Sequence, residues 1–150
     1  MPLSTLIREL LQGRNILLAD DTVLIRNLLK EILILLGADG RIDEAADGLR
    51  AWNLLQETSY GLVIADIMMP HMDGRELQRR VRYSSQHRDI PILLTSGEVS
   101  KQAVELAFRS KLDAFLNKPF TIKALEKSLW KILKQEWGES LAAGTVSGTV

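Results

Sequence analysis

Three carboxylates, one hydroxyl and one ammonium hold equivalent places in this chain, each at or just past the end of an apolar run. Asp20 and Asp21 follow Asn15–Ala19, Asp66 closes Leu62–Ala65, Thr95 follows Ile90–Leu94, and Lys118 lies two residues beyond Asp113–Leu116. Brought together, three acids repel unless positive charge joins them. Lys118 supplies one such charge, and a divalent ion is the usual remainder. Oxygen ligands, with no His or Cys at hand, favour Mg²⁺ over zinc. A metal, a lysine and a hydroxyl around one carboxylate make a cradle for a group with several anionic oxygens, which phosphoryl transfer requires. Asp66 is a competent nucleophile, since aspartate can carry an acyl phosphate. The residue types therefore point to Mg²⁺-assisted phosphorylation of Asp66. A capping role explains any one of these positions, but it explains all five together poorly.

The elements that must position these groups alternate. Leu62-Val63-Ile64-Ala65 lacks polar alternation and reads as a strand buried on both faces, with Pro70 barring its continuation. Asn15–Ala19, Arg41–Ala45, Ile90–Leu94 and Asp113–Leu116 read as the other strands. Between them the spacing predicts helices over Val23–Leu36, capped by Thr22 or Asp21 and stopped at Gly37, and over Leu49–Thr58, Arg75–Tyr83 and Ser100–Ser110. A last helix runs from Thr121, as N-cap, to about Trp137. Five alternations argue a doubly wound parallel α/β sheet with helices on both faces, and right-handed crossovers bring the strand ends to one edge. Ile34 and Leu35 exceed the apolar face of Val23–Leu36 and are read as deeper burial, with a partner surface as the alternative. Trp52 is read as packing, Arg79, Arg80 and Arg82 as a solvated basic patch, and His71 and His87 as surface residues.

Leu3, Leu6, Ile7, Leu10 and Leu11 form one stripe of an N-terminal amphipathic helix over residues 1–13, ended by Gly13. It is read as packing on its own domain, with a dimerisation or docking helix as the alternative. Residues 14–137 form the main domain. Residues 138–150, almost without charge, are read as a flexible C-terminal tail. With 19 basic and 19 acidic residues in 150, nothing argues for capture of nucleic acid or an anionic membrane. No apolar run approaches the roughly 20 residues of a membrane span. The absence of cysteine excludes disulfides and thiolate chemistry, and a soluble cytoplasmic protein is the expectation.

Asp20-Asp21, Asp66 with Met69-Pro70 and Asp73-Gly74, Thr95-Ser96-Gly97 and Lys118-Pro119-Phe120 together resemble the receiver domain of two-component response regulators, the CheY-like family, over about Arg14–Trp137. The resemblance implies a flavodoxin-like five-stranded sheet of order 2-1-3-4-5 flanked by five helices, to which the N-terminal helix is extra. It implies that Asp66 accepts a phosphoryl group from a histidine kinase or histidine phosphotransfer protein. Asp21, Asp66 and the Met68 backbone carbonyl would bind Mg²⁺, and Asp20 would act mainly through water. Lys118 would pair with carboxylate or phosphate, Thr95 would bond the phosphate, and Phe115 would be the aromatic switch. A cis Lys118–Pro119 bond is expected. The output surface would comprise the 100–110 helix, the 113–116 strand and the 121–137 helix, facing a downstream protein or, as a homodimer, a second copy.

Two departures and three alternatives accompany that reading. Lys111-Leu112 stands where Gly-Ala is frequent, so a left-handed turn there would strain Lys111. Met68, beside the acceptor, predicts a phospho-lifetime sensitive to its bulk. A haloacid-dehalogenase-type hydrolase would want an Asp at the Met68 position. A phosphorylation-independent scaffold would not need all five site residues. A receiver portion of a longer regulator or hybrid kinase stays open.

Overall fold

The computed structural model describes residues 1–97 and 110–146, with side chains through Trp137. Five parallel strands, β1 (Ile16–Ala19), β2 (Ile42–Ala45), β3 (Leu62–Asp66), β4 (Ile92–Ser96) and β5 (Asp113–Asn117), form one sheet of order β2-β1-β3-β4-β5. Five helices are described: α1 (Leu3–Leu11), α2 (Val23–Leu36), α3 (Gly48–Glu57), α4 (Gly74–Tyr83) and α5 (Ile122–Val146). Residues 100–109 of the helix predicted over Ser100–Ser110 lie outside the described residues.

The buried strands have two cores because successive side chains point to opposite faces. Ile16, Leu18, Leu62, Ile64 and Leu93 meet α1, α2 and α5 on one face. Leu17, Ala19, Val63, Ala65, Ile92 and Leu94 meet α3 and α4 on the other. Helix α1 belongs to the first core, as predicted for a helix packed on its own domain. Ile7, Leu10 and Leu11 are buried with Leu29, Leu33, Ile132 and Leu133. Burying each such side chain is worth about 1.5–3 kcal/mol. Arg14, just past α1, donates to the carbonyls of Leu10 and Gly61, each at 2.8 Å, and pairs with Glu136 of α5.

Several expectations need correction. Helix α5 does not stop at Trp137; it continues to Val146, through most of the stretch read as a tail. Glu139, Leu141, Ala142 and Ala143 are good helix formers, and the helix runs through Gly138 and Gly144. The apolar excess of α2 is not buried, since Leu24, Leu28, Ile34 and Leu35 are 46–74 % exposed. The core reaches only the stripe Leu29, Leu33 and Leu36. Arg82 is no part of a solvated patch. It pairs with the fully buried Asp113 and donates to the carbonyls of Arg88, Ile90 and Leu112. Asp113 also accepts the Ser110 N–H at 2.9 Å. Lys111 escapes the left-handed backbone: among described residues His71 is the one non-glycine with positive φ, +67°. His87 is half-buried, edge-on to Trp52 with ring centroids 5.9 Å apart. Trp52 packs against the second core, as predicted.

Candidate functional site

The carboxyl ends of β1, β3, β4 and β5 bring the five sequence-predicted groups to one edge. Asp20 is 1 % exposed, and each of its polar groups is engaged. Its N–H donates to Ala45, Oδ1 accepts the Thr22 N–H at 2.8 Å, Oδ2 accepts Lys118 Nζ at 2.7 Å, and its carbonyl accepts Arg26 Nη1. Thr22 is the N-cap residue of α2, yet its hydroxyl makes no cap bond. Thr22 thus holds the predicted cap position without a side-chain bond, and the Asp20 carboxylate accepts the N–H of Thr22 itself, two residues on. Asp21 is exposed.

Asp66 closes β3, the middle strand, and is buried. Lys118 Nζ lies 3.4 Å from its Oδ2. One carboxylate oxygen from each of Asp20, Asp21 and Asp66 lies within 4.8 Å of the other two. Burial pushes the Asp66 carboxyl above the usual range; Lys118 opposes this, and the charges of Asp20 and Asp21 add to the rise. Three acids against one ammonium leave a deficit of positive charge, and an all-oxygen donor set at this spacing suits a hard divalent ion.

Thr95 stands directly beside Asp66 in the β3–β4 register, and its carbonyl accepts the Ile67 N–H at 2.8 Å. Thr95 and Ser96 are buried. The Lys118 N–H donates to Ser96 at 2.8 Å, and the Lys118–Pro119 peptide is cis. Phe115, on β5 opposite Leu94, is half-buried against the second core. Met68 extends its side chain into solvent, 68 % exposed. His71 is exposed, as read from the sequence.

The loop from Asp66 to α4 is held by close backbone approach. A Cβ on Gly74 would sit 2.3 Å from the Asp66 carbonyl oxygen, and one on Gly48 would sit 2.3 Å from that of Met72. Only glycine fits at either place. Asp47 and Asp73, preceding these glycines, cap α3 and α4 by accepting the N–H groups of Arg50 and Glu76. The sequence reading missed Arg26 and Glu44, which meet at 3.0 Å beside Asp20. Residues 18 apart on a helix and a weak strand leave no periodic signal of such a pair.

The model of the response regulator receiver domain matches residues 16–129 of this chain. The chain belongs to the response regulator receiver family. It is 34 % identical over 128 residues to a chemotaxis protein CheY homologue of Campylobacter jejuni, covering 85 % of this chain and 98 % of that one. The solved chemotaxis regulator CheY4 of Vibrio cholerae is 32 % identical, with a TM-score of 0.68 over 80 % of this chain and 98 % of its own. The receiver domain of a Pseudomonas aeruginosa sensor histidine kinase, solved with a magnesium ion coordinated in its active site cleft, is 25 % identical. It aligns with a TM-score of 0.69 over 81 % of this chain and 98 % of its own. This receiver is thus a CheY-like signalling domain of a two-component system. Receiver domains bind Mg²⁺ at an acidic pocket and interact with histidine kinases or phosphotransfer proteins; here Asp20, Asp21 and Asp66 form an acidic cluster at the carboxyl edge of the sheet. No helix among the described residues is long and apolar enough to cross a membrane.

Proposed function

We propose that this receiver accepts a phosphoryl group on Asp66 from a histidine kinase or histidine phosphotransfer protein and works as a single-domain cytoplasmic regulator. A carboxylate oxygen of Asp66 attacks phosphorus, the donor's P–N bond breaks, and the imidazole leaves with the electron pair; the product is an acyl phosphate. Asp21, Asp66 and the Met68 carbonyl would hold Mg²⁺, with Asp20 acting through water, and the ion would neutralise charge on the transferring oxygens. Lys118 contributes a fixed cation, and the Thr95 hydroxyl a hydrogen bond once phosphate arrives. The Thr95 shift would draw Phe115 inward and alter the face around β5 and α5 toward a downstream protein. The observation that carries this reading is the buried Asp66 carboxylate with Lys118 at 3.4 Å and two further acids within reach.

Acetyl phosphate with and without Mg²⁺, read by intact mass, tests it. The wild type is expected to gain one phosphoryl group only with Mg²⁺, and Asp66→Asn none. A persisting adduct in Asp66→Asn, or no adduct in the wild type, overturns the assignment. Multiple turnover of a small phosphate ester would mark a hydrolase instead.

A further inference from the structure

Asp20 is held at four points, and one holder lies outside the set discussed so far. Arg26, on α2, donates through Nη1 to the Asp20 carbonyl and through Nε to Glu44 Oε1 at 3.0 Å. The Arg26 side chain is 13 % exposed and that of Glu44 31 %. Glu44 is paired with Leu18 in the β1–β2 register, so the ion pair joins α2 and β2 to the end of β1. The carbonyl it grips belongs to the peptide that links Asp20 to Asp21. Rotation of that peptide plane redirects Asp21, while Lys118 and the Thr22 N–H already fix the Asp20 carboxylate. Asp21 is exposed, so its direction depends on the backbone that carries it.

We propose that Arg26, braced by Glu44, is a positioning residue for the acid pair, fixing the Asp20–Asp21 peptide so that Asp21 and Asp66 face one divalent cation. The inference rests on the Mg²⁺ reading above and deepens it. Two effects of Arg26 oppose each other. Its positive charge disfavours a neighbouring cation, whereas its grip on the peptide preorganises the ligands. Glu44 offsets the charge and leaves the grip, so positioning dominates. Groups that orient metal ligands typically govern affinity by about 10–100-fold.

The test is a calorimetric Mg²⁺ titration of the unphosphorylated full chain, paired with thermal melts in the absence of metal. Arg26→Met is expected to weaken Mg²⁺ binding about tenfold. Arg26→Lys keeps the charge but cannot span both acceptors, and is expected to weaken binding severalfold; it carries the test should Arg26→Met not fold. An unchanged Mg²⁺ affinity with a lowered Tm would reduce Arg26 to a structural tie and overturn the proposal. Tighter binding in Arg26→Met would show that charge outweighs positioning and overturn it as well. If the wild type itself binds no Mg²⁺, the metal reading fails and this inference with it; equal binding by wild type and variants sinks this inference alone.

Discussion

The two edges of the sheet use their charged side chains in opposite ways. At the amino edge buried and half-buried charges are paired: Arg82 with Asp113, Arg14 with Glu136, and Asp43 with Arg41 and Tyr60. At the carboxyl edge Asp20 and Asp66 share Lys118, and Asp21 lies beside both acids. The carboxyls respond accordingly. Burial works against the charged form of Asp43, but the Tyr60 hydroxyl and Arg41 outweigh it and hold its pKa below the usual value. Burial of Asp66 is reinforced by its acidic neighbours, and its pKa rises despite Lys118. Paired charge holds the scaffold at one edge, and at the other three acids face one ammonium.

The contrast can be broken first at Arg82. Arg82→Met removes the guanidinium that faces the buried Asp113 carboxylate and is expected to cost about 3–5 kcal/mol in chemical denaturation, while acetyl phosphate labelling of the folded fraction is unchanged. Loss of labelling in folded protein would show that the edges are not independent. Tyr60→Phe is expected to cost about 1.5 kcal/mol at pH 7 through loss of the bond to Asp43. Because the Asp43 pKa is lowered in the fold, its stabilisation is present above the ordinary carboxylate value of 3.8 and fades as pH falls through the folded pKa. The penalty in Tyr60→Phe should shrink in that acidic window; a constant penalty argues that Asp43 is not involved. At the other edge the sign reverses. Asp66→Asn should stabilise the metal-free protein by about 1 kcal/mol at pH 7, as relief of functional-site repulsion commonly does. The raised Asp66 pKa means the charged form weighs on the fold at neutral pH, and the penalty is absent below the ordinary value of 3.8. Melting curves of Asp66→Asn and wild type should therefore converge in acid, and a variant less stable at pH 7 would contradict the account.

What the sequence made legible divides along the same line. The strands and their end-of-run polar groups were readable because a buried parallel strand is a continuous apolar run, and the residue that ends it breaks the pattern visibly. Asp20, Asp21, Asp66, Thr95 and Lys118 announce themselves in this way, and the sheet order followed from the family resemblance. The clamps did not announce themselves. Arg82 and Asp113 are 31 residues apart, Arg14 and Glu136 122 apart, and each arginine reads locally as a surface residue. The broad apolar face of α2 misled in the opposite sense, since composition alone does not say how many sides of a helix are covered. The C-terminal stretch lacked amphipathic pattern, but helix propensity carried α5 through it to Val146.

Leu3, Ile7, Leu10 and Leu11 lie before the family-matched span of residues 16–129, and Trp130, Ile132, Leu133 and Trp137 lie after it. These two flanks are each other's packing partners, with Arg14 and Glu136 closing the contact. The packed core of this protein therefore extends beyond the family-matched span at both ends. A piece trimmed to the shared boundaries would lose both sides of one interface in a single cut. It would lay Leu29, Leu33 and Leu36 bare to water beside a shortened α5.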